Sequence, residues 1–439
     1  MSVKEPQLRL AILLNAPKND LAPPLGQGEA PATILGQYSR VAKRLESAKF
    51  DLAFVADTVS GEVLGDKLPH PEPVTLFSAL AAVTERLGLV ITASTTFSDP
   101  YNLARQLLSL DHLSNGRVGW NVVTSSDGER NFGDKPIPLH SERYNRGLEF
   151  VEVARKLWLS WDEDAVVRRD GHVVGIDAGK IHPIHHKGKY FSVDGALAHG
   201  RSPQGHPVLI QAGSSEDGKN FAAKFAEAVY TAQQTLAGAQ EFYRDLKAKT
   251  RAEGRDPNLI KILPGVCTII GDTESSAKKI AKDQVANAYN PVILAALEKQ
   301  FNGVSLKDLG PEDAIPAERL PLIEQVQGRQ SRYGVFYNYA VNERWTVRQL
   351  AELQQGTAGH GQIVGTPEQV ADHLENWFRN GGADGFTIMP SQGAGGVDVF
   401  VDQVVPILQK RGLFRTEYEA DTLRGNLGLD FEPKRSVAA

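Results

Sequence analysis

Eight short apolar runs, each followed by an amphipathic stretch, constrain the fold more than any other feature of this chain. The runs cover residues 8–14, 50–56, 87–92, 117–123, 207–211, 228–231, 259–270 and 385–389. Helical periodicity fills the intervals at 39–49, 75–86, 102–113, 214–224, 237–253, 366–379 and 397–410, and a further helix opens at Thr273. Within 39–49, Val41, Leu45 and Ala48 share one face. Tyr144, Leu148, Val151 and Trp158 mark one stripe of a longer helix. Strand and helix in strict alternation predict a parallel sheet. Eight units favour closure into a (β/α)₈ TIM barrel, with an open doubly wound sheet as the alternative. One helix start is well specified: Thr366 caps, Pro367 suits the first turn and Gln369 completes a capping box. Asn380-Gly381-Gly382 then stops that helix.

The chain has 439 residues, and one barrel needs roughly 250. The surplus is assigned to a Pro/Gly-rich loop at 17–31, insertions near 162–203 and 301–356, and a C-terminal tail at 411–439, all on a single barrel domain. Long loops after barrel strands carry function and serve as lids. A net charge of −5 gives no electrostatic reason to hold nucleic acid or an anionic membrane. The N-terminus shows no secretory apolar core, and no window reaches membrane-span length. The single cysteine, Cys267, lies in an apolar run and reads as a buried thiol. These features predict a cytoplasmic protein. No Rossmann, Walker A or nucleophile-elbow motif is present.

In a barrel, chemistry gathers at the C-terminal ends of the strands. Those positions hold Asp57 in FVADT, Thr95 and Thr96 in ITASTTF, Asn121 in GWNVVTSS, and Ser214 and Ser215 in LIQAGSSEDG. In the last motif Gly213 permits a tight turn and the serines open a helix. Free N–H groups and hydroxyls there suit a phosphate. The alternative is a plain helix cap. His140 and Tyr144, four apart, share a helix face and can both donate to a phosphate oxygen. Taken alone they also fit a surface histidine beside a core tyrosine. His182, His185 and His186 form a cluster, but Pro183 and Gly188 argue against a ligand face, and no metal is expected.

Residues 116–133 (GRVGWNVVTSSDGERNFG), 140–165 (HSERYNRGLEFVEVARKLWLSWDEDA), 202–218 (SPQGHPVLIQAGSSEDG), 365–390 and 400–418 resemble the nitrilotriacetate, dibenzothiophene-sulfone and pristinamycin monooxygenases of the bacterial-luciferase superfamily. The blocks occur in family order across nearly the whole chain. The resemblance implies a two-component system, in which a separate NAD(P)H:flavin reductase supplies FMN as FMNH₂. Reaction with O₂ then gives a C4a-(hydro)peroxyflavin that oxygenates a small organic substrate. It implies Asp57 and Thr96 near the flavin, with Thr95 the weaker candidate. It also implies Asn121 beside the ring as the catalytic position, and His140, Tyr144, Ser214 and Ser215 around the phosphate. Relatives form homodimers or homotetramers. One departure stands out: relatives often carry a histidine after the first strand, whereas residues 15–31 here (NAPKNDLAPPLGQGEAP) contain none. A deazaflavin-dependent oxidoreductase and a non-catalytic flavin-binding protein are the alternative readings.

Overall fold

The computed structural model describes residues 6–14, 33–60, 71–133, 136–170, 172–390 and 396–431. The loop expected at 17–31 lies outside the described residues. Eight parallel strands close into a barrel: β1 (Arg9–Leu13), β2 (Leu52–Phe54), β3 (Gly88–Ser94), β4 (Val118–Val123), β5 (Val208–Gln211), β6 (Ala228–Thr231), β7 (Lys261–Ile270) and β8 (Gly385–Pro390). Each strand through β6 pairs with the next, β8 pairs with β1 and β7, and the β6–β7 pairing closes the ring. The open-sheet alternative is thereby excluded. β7 is long enough to serve two neighbours. Residues 261–264 pair with β6, and residues 266–270 pair with an additional strand, Gly361–Gly365.

The outer ring comprises α1 (Ile34–Ser47), α2 (Pro73–Ala81), α3 (Pro100–Leu113), α4 (His140–Trp158), α5 (Glu216–Phe225), α6 (Leu236–Ala252), α7 (Pro367–Arg379) and α8 (residues 396–410). α7 carries the expected capping box between Thr366 and Gln369. Strand side chains alternate between the two faces. Leu10, Ile12, Ile91, Trp120 and Phe386 pack outward against the helices. Ala11, Leu52, Phe54, Val90, Ile210, Tyr230 and Leu263 point into the bore.

The C-terminal segment is no mere tail. Leu423, Leu427 and Leu429 join the bore cluster from beneath and fill the N-terminal end of the barrel. A glycine on the inner wall admits Leu423: a Cβ on Gly88 would lie 2.5 Å from it. Two arginines secure this plug. Arg415 pairs with Asp51 at 2.5 Å, both almost fully buried. Arg424 pairs with Glu227 of the α5–β6 turn. Burial alone would raise the Glu227 carboxyl, but Arg424 and His206 outweigh it and hold it below its ordinary value.

The segment between α4 and β5 forms two small hairpins, Val166–Arg169 with His172–Ile176 and His186–Lys187 with Ser192–Val193. The larger excursion, between β7 and α7, builds a core of its own from Leu297, Phe301, Tyr333, Phe336 and Val347. It begins earlier than residue 301, because the helix Pro291–Gln300 already commits Leu297 to that core.

Removing Arg424 leaves Glu227 buried without its counter-charge. Arg424→Ala should cost about 3–5 kcal/mol in denaturant unfolding, and the Arg424→Ala/Glu227→Gln double variant should recover much of it. Because the folded pKa of Glu227 is lowered, the pair's contribution is present above the ordinary glutamate range. It fades as pH falls through the lowered value.

Candidate active site

The first turns of α4 and α5 meet above β4 and β5. Ser215 caps α5, its hydroxyl accepting from the Gly218 N–H at 3.1 Å. α4 begins at His140 with no side-chain cap. Its first N–H instead donates to the Gln327 side-chain carbonyl at 3.1 Å. His140 Nδ1 lies 2.9 Å from an Asp217 carboxylate oxygen, and the His140 and Tyr144 rings stand 5.0 Å apart. The Tyr144 hydroxyl bonds with Ser215 and Thr124, and burial raises its pKa, so it remains a neutral donor. Ser214 lies outside α5, its hydroxyl 2.9 Å from that of Thr231. Two glycines allow the close approach. A Cβ on Gly213 would collide with the Gln211 amide and come within 3.3 Å of the Tyr144 hydroxyl. A Cβ on Gly218 would sit 3.0 Å from the Gly213 backbone. The corner thus gathers His140, Tyr144, Ser214 and Ser215 beside the N-terminus of α5. Such a set suits an anion with several acceptor oxygens.

Asn121 faces the bore beside Thr92. Its Nδ2 donates to the Thr92 hydroxyl at 2.9 Å, which donates onward to the Val55 carbonyl at 2.6 Å. The Asn121 Oδ1 is buried with no partner among the described residues. Gln211 Oε1 and the Tyr230 hydroxyl are in the same condition. Buried polar atoms seldom go unpaired, and those of Asn121 and Tyr230, on the inner face, fit a polar ligand better than an apolar one. Tyr230 stacks on Phe54 at 4.3 Å across the bore and forms its floor. The structure separates the two threonines after β3. Thr95 is fully buried, with its hydroxyl turned to the Val123 carbonyl. Thr96 is half-buried at the mouth, held through Ser94 and Ser125. Asp57 is half-buried just beyond β2.

The histidines of the α4–β5 excursion go separate ways. His182 bonds Asp162, His185 bonds Asp194 and His186 bonds Glu149. Sequence reasoning missed Tyr230, Gln327 and Arg332, which reach the mouth only through the register of β6 and the path of the large excursion. Thr92→Val keeps side-chain shape but removes the acceptor for Asn121. It should cost about 1 kcal/mol of stability. It should lower turnover more than it lowers the melting temperature, as steady-state kinetics beside thermal denaturation would show.

With this geometry in hand, relatives are informative. A profile of the family "Luciferase-like monooxygenase" matches residues 21–385. N-acetyl-S-(2-succino)cysteine monooxygenase of Bacillus subtilis (strain 168) is 43% identical, over 98% of each chain. Nitrilotriacetate monooxygenase component A of Aminobacter aminovorans is also 43% identical, over 93% of this chain and 92% of its own. The solved EDTA monooxygenase from Chelativorans sp. BNC1 superposes with a TM-score of 0.79 at 32% identity, covering 97% of this chain and 98% of its own. A riboflavin lyase solved with modified FMN and riboflavin gives a TM-score of 0.81 at 31% identity, over 97% and 96% of the two chains. The chain belongs to the luciferase-like monooxygenase family and is an oxidoreductase.

Proposed function

We propose that this protein is the oxygenase component of a two-component system, taking FMNH₂ from a separate NAD(P)H:flavin reductase and using O₂ to oxygenate a small organic substrate. The observation that carries the reading is the α4–α5 corner, where an imidazole, a phenol and two serines converge on one helix N-terminus. The division of labour is supported by the relative named nitrilotriacetate monooxygenase component A, a name that implies a further component. The absence of a dinucleotide motif in the sequence agrees with it. F420-dependent neighbours share only 13–14% identity, which reflects the fold and no more.

Reduced flavin, when bound, supplies the electrons that activate O₂. The chain's own residues bind and orient. His140 Nε2 has no partner among the described residues. Asp217 accepts from the Nδ1 N–H, so the ring donates from Nε2 to phosphate only in its doubly protonated form. Tyr144 and the serines add neutral donors. Asn121, fixed through Thr92, would present its unpartnered Oδ1 as an acceptor to the flavin ring. Thr96 and Asp57 line the same mouth. The Phe54–Tyr230 floor and the leucine plug below keep water from entering through the bore. No helix among the described residues is long and apolar enough to cross a membrane. We place the protein in the cytoplasm, as a homodimer or homotetramer.

His140→Ala or Tyr144→Phe should each weaken FMNH₂ binding by about 1–3 kcal/mol in anaerobic titrations. Unchanged affinity in both would remove the phosphate assignment. With reductase, NADH, FMN and O₂ present, hydrogen peroxide release should fall as product forms once a true substrate is added. Undiminished peroxide across a broad substrate panel would support a non-catalytic flavin binder instead.

A further inference from the structure

The large excursion between β7 and α7 sends a strap across the barrel mouth. At one end Gln327 is tied to the phosphate corner: its side chain accepts from the His140 N–H, and its carbonyl accepts from Arg143 Nη2 at 2.7 Å. Five residues on, in the helix Gln330–Tyr337, Arg332 reaches the opposite wall. Five residues span at most about 18 Å, so the Arg332 backbone lies within that distance of Gln327. Its Nη1 donates to the Ala358 carbonyl at 2.5 Å, and its Nη2 to His360 Nε2 at 2.8 Å. His360 in turn covers the inner face of β7, its Nδ1 2.5 Å from where a Cβ on Gly265 would lie. A guanidinium can only donate. His360 Nε2 is therefore an acceptor, and the imidazole proton sits on Nδ1, over the bore.

Other arginines of this chain are held in several ways: Arg143, also without a carboxylate, donates to the Pro138 and Gln327 carbonyls at the root of the strap. Arg415 and Arg424 each face a carboxylate. Arg117 directs its Nε, Nη1 and Nη2 to five protein oxygens, those of Ser114, Thr84 (hydroxyl and carbonyl), Leu87 and Ala81. Arg332 has two protein partners and, among the described residues, no carboxylate. Burial first, and then repulsion from Arg329, push its pKa down to about 10, so it is still a cation at neutral pH. Cys267 is the one nearby group that favours the charge, and burial pushes that thiol up to about 12, so it offers no counter-charge. The Arg332 side chain is surrounded by protein yet only half-buried, as befits a group lining a recess. A cation partly withdrawn from water, with N–H groups to spare and no carboxylate partner among the described residues, is suited to receive an anionic group.

We propose that Arg332, seated against His360 and Ala358 at the β7 wall, anchors a carboxylate of the substrate, so that the molecule oxygenated is a small organic carboxylate. This rests on the flavin-dependent oxygenase reading above and adds the substrate's class to it. Arg329 lies on the same side of the strap and gives the entrance the same sign of charge. A planar carboxylate matches the guanidinium fork, which a neutral ester cannot do.

The test uses the full chain, with and without FMN, titrated calorimetrically with acetate, malonate, succinate and glutarate and with their methyl esters. At least one acid should bind, and its ester should bind about tenfold or more weakly. Arg332→Gln should abolish that preference while leaving FMN affinity unchanged. Arg332→Lys, which keeps the charge, should retain a preference for acid over ester and guards against a variant that fails to fold. Esters binding as well as acids, no acid binding to the wild type, or undiminished acid binding in Arg332→Gln would each overturn the proposal. So would loss of FMN affinity alone in Arg332→Gln, which would assign the cation to the flavin. Failure of the flavin reading is distinguishable, because the protein would then fail to bind FMN or FMNH₂ while its response to carboxylates stood.

Discussion

Everything at the mouth of this barrel depends on how closely the first turn of α4 can approach the first turn of α5. Gly213, without a side chain, lets the loop lie against Tyr144, and Gly218 lets α5 start tight against Gly213; larger residues there would force the Gln211 amide or the loop itself to move. The approach lets the Asp217 carboxylate orient His140 and lets Ser215 reach the Tyr144 hydroxyl while still capping its own helix. Helix capping and the proposed anion binding thus draw on the same few atoms. The two readings of the serine motif are compatible in space, since Ser215 caps through one lone pair and meets Tyr144 through the rest of the hydroxyl.

The barrel divides stability from function along its axis, as parallel barrels do. Below, the bore is closed by leucines from the C-terminal segment and locked by the Arg415–Asp51 and Arg424–Glu227 pairs. Above, buried polar atoms of Asn121 and Tyr230 have no protein partner among the described residues. Between them the stacked Phe54–Tyr230 pair forms the boundary. The excursion between β7 and α7 has its own hydrophobic core, so it can hold Gln327 and Arg332 over the mouth without drawing on the barrel's packing.

Much of this was legible in the residues. The eight strands stand out because strands buried on both faces are written as continuous apolar runs, and the register changes only which residues point inward. The convergence of His140 with Tyr144 followed from helical spacing, and Ser215 from helix-start chemistry. Other features left no local signal. Leu423, Leu427 and Leu429 sit in a short, Gly-containing segment whose apolar spacing has no recognisable period, so their role as a plug emerges only when the chain folds back under the barrel. Tyr230 reads as one more apolar strand residue until the alternation of β6 is known. Arg332 lies in a weakly amphipathic helix more than sixty positions from β7, and only the path of the strap brings it to that wall.

The central claim is a cradle for one phosphate at the α4–α5 corner. Its most direct test compares the anaerobic affinity of the wild-type protein for reduced FMN and for reduced riboflavin, which differ only in that group. The account predicts that reduced FMN binds at least about a hundredfold more tightly, the effect of two or more charge-assisted hydrogen bonds. Equal affinities for the two flavins would contradict it.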